Sequence, residues 1–262
     1  MNFRTASFTF DINSLFKHRL DHHKNALEII TGEPGSGKSF AGLSQCEDMN
    51  PDFSVDNCAF GIKDFISLLR ATSPKRDIIL FEEAGVEFTA RRAMSKTNID
   101  ISSVLNVFRF RQTPTIFTVP DLRMIDLNAR RLMNFYVNTL RVDEKEQCVI
   151  ALFNVVKPLG WEEGLKRYKV RVWCRDTGER VVFDFVRFHK PKNQKLIDDY
   201  LKKMEEYKQG VLDRIGKSYE DLTGEAKPEK PARKPREKRK DGQRLPDLTK
   251  RTTRNIHMVA PP

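Results

Sequence analysis

The chain has 262 residues, 39% hydrophobic and 32% charged, with a net charge of +11; this length supports one sizeable core with a modest appendage and excludes two ordinary large domains. Cys46, Cys58, Cys148 and Cys174 stand far apart with no CxxC pair, which argues against a zinc ribbon, a redox dithiol or a disulfide framework and fits a reducing cytoplasm. No apolar stretch approaches the ~18 residues of a membrane span, and the start, Met1 to Thr5, lacks the apolar run of a signal peptide, so a soluble cytoplasmic protein with no membrane partner is expected.

Phe10 to Lys24 has spaced apolar residues and reads as a helix, and Ala26 to Ile30, ending at Thr31-Gly32, reads as a buried strand. A glycine-rich turn and a helix over Lys38 to Glu47 follow. Phe53 to Phe60 reads as a second strand, Lys63 to Ala71 as a helix, and Asp77 to Phe81 as a strongly apolar third strand. Ile99 to Arg111 reads as a helix, Thr115 to Val119 as a fourth strand and Asp126 to Met133 as a short helix. The alternation predicts a parallel α/β sheet with helices on both faces. From Phe135 the pattern changes to strands without helices: Phe135 to Val142, Cys148 to Val156, Tyr168 to Arg175 and Arg180 to Phe188. Asp176-Thr177-Gly178 between the last two suggests a hairpin turn.

Asn193 to Lys217 reads as one long helix with Ile197, Leu201, Met204, Val211, Leu212 and Ile215 along one stripe, expected to pack on the core, with an oligomer contact as the second reading. Past Gly224 few large apolar residues remain, too few to offset the entropy of folding, and a disordered tail is expected. From Thr223 to Pro262 there are 12 Lys/Arg against 5 Asp/Glu, or +7, which leaves 35 minus 31, or +4, elsewhere. The expected divisions are therefore a core over 1–142, a strand-rich extension and long helix packed on it over 143–222, and a basic tail over 223–262.

Gly32-Glu33-Pro34-Gly35-Ser36-Gly37-Lys38-Ser39 spells GxxxxGK[ST] in full between a predicted strand and a predicted helix, which is the Walker A pattern in its proper setting. Its glycines let successive N–H groups face a phosphate chain, and Phe40 carries the loop into the helix whose positive end points there. Lys38 is expected at the β- and γ-phosphates of ATP and Ser39 at Mg²⁺. Asp77 to Phe81 then ends in Glu82-Glu83, which resembles a Walker B strand: Glu82 would hold the metal through water and Glu83 would orient or deprotonate the attacking water. The usual first carboxylate is Asp, and Glu82 is one methylene longer. Arginines flank the fourth strand, Arg109 and Arg111 before it and Arg123, Arg130 and Arg131 after it. Each can be a solvated charge or a phosphate contact, and Arg130 or Arg131 is the candidate for a catalytic arginine offered to a neighbouring subunit.

The run resembles the additional-strand, catalytic-glutamate branch of P-loop ATPases, within it the FtsK-HerA group, and is similar to small ATPases of archaeal viruses and plasmids and to the zonular-occludens-toxin-like group. The last group usually carries a membrane span, which this sequence lacks. Thr115 to Asp126 looks like the fourth strand and its following loop, with Val119 where a phosphate-sensing Gln is usual and Thr118 as a weaker polar substitute. The resemblance implies a RecA-like sheet of order 5-1-4-3-2 with the ATP site at the carboxyl ends of strands one and three. It also implies a nucleic-acid motor or remodeller acting in replication, packaging or partition, assembled as a homo-oligomeric ring, with DNA met by the basic tail and a protein partner also open. The alternatives are an AAA+-type initiator or helicase loader, whose compact helical lid is not legible here, a slow nucleotide-dependent switch, and a small-molecule kinase.

Overall fold

The computed structural model describes residues 11–73, 75–84, 110–125, 127–158, 165–173 and 178–223. The chain divides into two compact units, Met1–Asp213 and Arg214–Pro262. Of the second, only helical residues up to Thr223 are described. The basic tail beyond them, Arg109, Cys174, the Asp176-Thr177 turn and most of the helix expected over Ile99 to Arg111 lie outside the described residues.

The first unit begins with α1 (Asn13–Asp21), which buries Phe16 and Leu20, and enters the sheet through β1 (Leu27–Gly32). The next segments are α2 (Lys38–Met49), β2 (Cys58–Ala59), α3 (Ile62–Ala71), β3 (Ile79–Phe81) and β4 (Thr115–Thr118). Then come α4 (Leu127–Leu132), β5 (Phe135–Asp143) and β6 (Cys148–Pro158). The five strands β5-β1-β4-β3-β2 are all parallel, so the order 5-1-4-3-2 is observed. The fold is mixed α/β, with a five-stranded parallel core flanked by helices on both faces.

Burial on both faces explains why β1, β3 and β4 read as continuous apolar runs rather than alternating ones. Along β1, Leu27 and Ile29 point to one core and Ile30 to the other. The first core packs α1 and α2 on Ile30, Leu80, Ile116 and Val137. The second packs α3 and α4 on Ile79, Phe81 and Phe117. There Phe65, Phe81 and Phe117 form an aromatic trio, with ring centroids 4.9 to 5.6 Å apart in stacked and edge-on geometries. The α2 backbone comes so close to the sheet that a Cβ at Gly42 would meet Leu80 Cδ1 at 2.8 Å.

Beyond β5 the sheet continues antiparallel through β6 to β10 (Phe185–His189), and β7 (Leu165–Tyr168) pairs the far end of β6, eight strands among the described residues. β8 (Val170–Trp173) and β9 (Arg180–Phe183) form a separate two-stranded ribbon. The segments expected as two long strands, Tyr168 to Arg175 and Arg180 to Phe188, are thus each broken, at Lys169 and at Asp184, and shared between sheets. Lys169 and Asp184 are joined by a 2.8 Å ion pair at this corner. The expected second strand from Phe53 is shorter than its apolar content suggested, because Ser54 caps a 3-10 turn over Val55–Asn57.

Helix α5 runs over Gln194–Thr223. Its buried face is Leu196, Ile197 and Tyr200, with Met204 and Tyr207 partly buried, whereas Leu201 is 48% and Leu212 60% exposed. The stripe expected through Leu201 and Leu212 is therefore corrected by a rotation of about one residue. The contact runs through positions 196, 200, 204 and 207, and two of its members are tyrosines, whose apolar rings a stripe drawn from aliphatic residues omits. Among the described residues no helix is long and apolar enough to cross a membrane.

Candidate active site

β1 ends at Gly32, and the chain turns through residues 33–37 before α2 begins at Lys38. Gly32 and Gly37 are required here for different reasons. A Cβ on Gly32 would lie 2.1 Å from Thr139 Oγ1, a gap no side chain tolerates. Gly37, the N-cap of α2, has φ +89° and would drive a Cβ to 2.5 Å from Val149 Cγ2. Gly35, with φ +82°, faces open space instead.

The loop is pinned from below. Ser36 Oγ donates to Glu33 O at 2.7 Å and lies 2.6 Å from Thr139 Oγ1, which itself donates to Thr31 O at 3.0 Å. Thr139 belongs to β5, opposite Gly32 in the parallel register. Nothing in the motif points to it; a Thr two residues after Val137 on a buried strand carries no signal until β1 and β5 are known to pair.

Lys38 Nζ donates to Gly32 O and Glu33 O, both at 2.9 Å, so its charge rests on the loop's own carbonyls. Burial lowers its pKa, opposed by the nearby Glu82 and Glu83 carboxylates. Ser39 Oγ donates to Glu82 Oε2 at 3.2 Å, which joins the glycine loop to the acidic strand end. Glu82 is 2% exposed. Its second donor is Thr118 Oγ1 at 2.6 Å, and Thr118 also accepts from Glu83 N at 3.1 Å. Burial raises the Glu82 pKa, against the donors on its carboxylate, Thr118 foremost. Glu83 is half-buried and sits at φ 49°, a left-handed conformation that non-glycine residues adopt only when the surroundings impose it.

Lys38, Ser39, Glu82 and Glu83 are thus brought together at the carboxyl ends of β1 and β3. Thr118 stands differently from the expected stand-in for a phosphate sensor: its hydrogen is spent on Glu82, so it positions the acidic pair. Val119 is fully buried in the apolar core.

The arginines separate into distinct roles. Arg111 donates from Nη2 to Arg70 O and Thr72 O, both at 3.0 Å, and so caps the end of α3. Arg123 is paired with Asp121 at 2.7 Å on the surface. Arg130 and Arg131 lie on α4, whose last residue, Leu132, accepts from Asn25 Nδ2, just before β1 begins. Arg130 also lies within electrostatic reach of Asp121, which follows β4 at its carboxyl end.

The residues fit magnesium with a nucleotide phosphate chain. Ser39 offers a hydroxyl, Glu82 Oε1 is buried with no hydrogen-bond partner, and the Lys38 ammonium can exchange two neutral carbonyls for phosphate oxygens. Among the described residues no cluster of three His, Cys, Asp or Glu could hold a metal by itself, so phosphate and water would complete the coordination.

The fold and this cluster define the chain as P-loop in architecture. No protein-family model and no curated protein matches it. Similar solved structures include the N-terminal domain of zonular occludens toxin from Neisseria meningitidis, at 18% identity and TM-score 0.35, covering 67% of this chain and 98% of that one. They also include the genome packaging NTPase B204 from Sulfolobus turreted icosahedral virus 2 in complex with AMP, at 11% identity and TM-score 0.33 (64% and 98%). The same NTPase with ATP-gammaS gives 12% and 0.31 over the same shares. These values describe a loose likeness, and the functional reading rests on the cluster itself.

Proposed function

We propose that the chain binds Mg·ATP and hydrolyses it, and that hydrolysis drives remodelling or movement of nucleic acid. The observation that carries the ATPase reading is the Ser39–Glu82 hydrogen bond across the cleft, with Lys38 and Glu83 beside it. A glycine turn with no ligand has no reason to face two carboxylates and hold a left-handed Glu.

In this reading the loop amides and Lys38 bind the phosphates, and Ser39 and Glu82 hold the metal. Magnesium, when bound, would offset the charge of the phosphates. Glu83 accepts the proton of the attacking water, and Thr118 keeps Glu83 in place through its backbone N–H. The base is assigned to a cavity of about 210 Å³ beside the loop, lined by Gly37, Phe40, Val142, Gln147 and Val149. Its apolar walls suit a purine face, and Gln147 can meet a polar edge. The basic final forty residues support the nucleic-acid partner, since phosphate backbones bind such segments through counterion release.

The test compares two variants. Lys38→Ala should weaken ATP binding and stop hydrolysis. Glu83→Gln should bind ATP at near wild-type affinity and turn over at least about a hundredfold more slowly. Normal hydrolysis by Glu83→Gln would refute the assignment. The wild-type rate measured with and without DNA separates a motor, which DNA stimulates strongly, from a switch or kinase, which it does not.

A further inference from the structure

Ahead of the basic tail, positive charge is concentrated in one stretch. Residues 1–222 sum to +4, and residues 165–190, with 8 Lys/Arg against 3 Asp/Glu, carry +5 of it. Everything else in 1–222 therefore sums to −1. The charged stretch runs from β7 through the β8–β9 ribbon to β10.

The register of the ribbon sorts its side chains onto two faces. Val170 stands opposite Phe183 and Val172 opposite Val181, and Val170, Val172 and Phe183 pack on the first core. The alternate pairs, Arg171 with Val182 and Trp173 with Arg180, are exposed. Trp173 is 57% exposed, and the Arg180 guanidinium carbon lies 5.6 Å from its ring centroid. Neither Arg171 nor Arg180 has an acidic partner among the described residues. The pattern recurs at Tyr168, which stands opposite Val155 and so on the side of the sheet where the ribbon packs. Lys157 Nζ and Lys166 Nζ lie 5.6 and 5.5 Å from its ring centroid.

We propose that the outer face of the β8–β9 ribbon binds single-stranded DNA, with an unpaired base stacked on Trp173 and the flanking phosphates held by Arg171 and Arg180. The proposal rests on the nucleic-acid reading above and adds to it a surface outside the basic tail. A nucleotide brings in one unit what this face lacks, a flat ring to cover the indole and an anion for the unpaired guanidinium groups. In a duplex the base planes cover one another, so an unpaired base is the one that can take the ring. No side chain of Arg171, Trp173, Arg180 or Val182 accepts a hydrogen bond. A 2′-hydroxyl therefore gains no acceptor here, while Val182 gives a deoxyribose apolar cover. Tyr168, at most roughly 18 Å from Trp173 along the chain, takes a second base.

The experiment uses the full chain. Trp161→Phe leaves Trp173 as its one tryptophan, whose emission is followed as oligo-dT of about 16 nucleotides is added. Affinity for the same oligonucleotide, fluorescein-labelled, is measured by anisotropy across a salt titration. Oligo-dT should quench Trp173, and a duplex or oligo-rU of equal length should quench it far less. Trp173→Leu should bind oligo-dT about tenfold more weakly with an unchanged salt slope, because stacking releases no counterions. Arg171→Gln combined with Arg180→Gln should weaken binding and make the slope shallower by about 1.4, two phosphates at ~0.7 each. These substitutions touch exposed residues, so the variants should melt with the wild type. Trp173 emission unmoved by oligo-dT that the chain binds, or a Trp173→Leu affinity equal to the wild type's, overturns the ribbon as the surface while the nucleic-acid reading stands. Quenching by the duplex or by oligo-rU as strong as by oligo-dT overturns the choice of single-stranded DNA. A wild-type chain that binds none of the three overturns both readings.

Discussion

Glu28 is the residue whose chemistry is most at odds with its place. It is the second residue of β1, fully buried, on the face that packs on α2. Gln45 Nε2 donates to its Oε2 at 3.3 Å, while Glu28 Oε1 and Gln45 Oε1 have no partner. Burial, only partly opposed by Gln45, pushes its pKa up to about 8. The sign of the consequence follows from the two states. In the unfolded chain the carboxyl ionises near its ordinary pKa of 4.5, whereas the folded chain keeps the proton up to about 8. Between those values folding takes up a proton, so stability falls as pH rises, by up to about 1.4 kcal/mol per pH unit. Glu28→Gln removes the titration and keeps the shape. Thermal melts should show little difference at pH 5 and a clear stabilisation of the variant at pH 8. A difference that stays constant across this range would show that Glu28 is ionised in the fold. Glu82 is raised in the same direction, so the variant should retain some pH dependence.

At the scale of elements, the phosphate loop owes its shape to β5 as much as to its own glycines. Thr139→Val would keep the volume and remove the hydroxyl that meets Ser36 and donates to Thr31 O. The loss should be about 1–3 kcal/mol in denaturant unfolding, with ATP affinity falling severalfold because the loop amides are no longer held. A variant as stable as the wild type and with unchanged affinity would show that the loop holds itself. Thr139 also marks the limit of what the sequence discloses. Lys38, Ser39, Glu82 and Glu83 were legible because each stands at a fixed offset within a local strand-loop-helix or strand-end pattern. Thr139 and the role of Thr118 were not, since they reach the site through the β1–β5 and β1–β4 registers. Such contacts join positions from 35 to more than a hundred residues apart and leave no mark on local periodicity. The breaks at Lys169 and Asp184 were missed for the same reason: an apolar run shows strand character but not which sheet each half joins.

At the scale of the whole molecule, the placement of Arg130 and Arg131 decides what kind of assembly could use them. They stand on α4, whose last residue meets the chain just before β1, whereas Lys38, Ser39, Glu82 and Glu83 stand at the carboxyl ends of β1 and β3. The hydrogen bonds that join Lys38, Ser39, Glu82 and Thr118 involve neither arginine, and a second copy in a head-to-tail arrangement would bring one to the γ-phosphate. Arg130 has an additional mark: its Nε is buried and without a partner, a cost that a neighbour's phosphate would relieve. The expected outcome is an ATP-promoted oligomer whose sites are shared. Glu83→Gln and the double variant Arg130→Ala, Arg131→Ala should each be inactive alone, because every interface in each homogeneous ring lacks one half of the machinery. When the two are mixed, some interfaces pair an intact Glu83 with intact arginines, and ATPase activity should return in part, with a maximum near equal amounts. Activity should also rise with protein concentration faster than in proportion. A monomer that stays monomeric with ATP, shows a constant specific activity on dilution and gains nothing on mixing would exclude the shared site and leave the arginines to surface or nucleic-acid contacts.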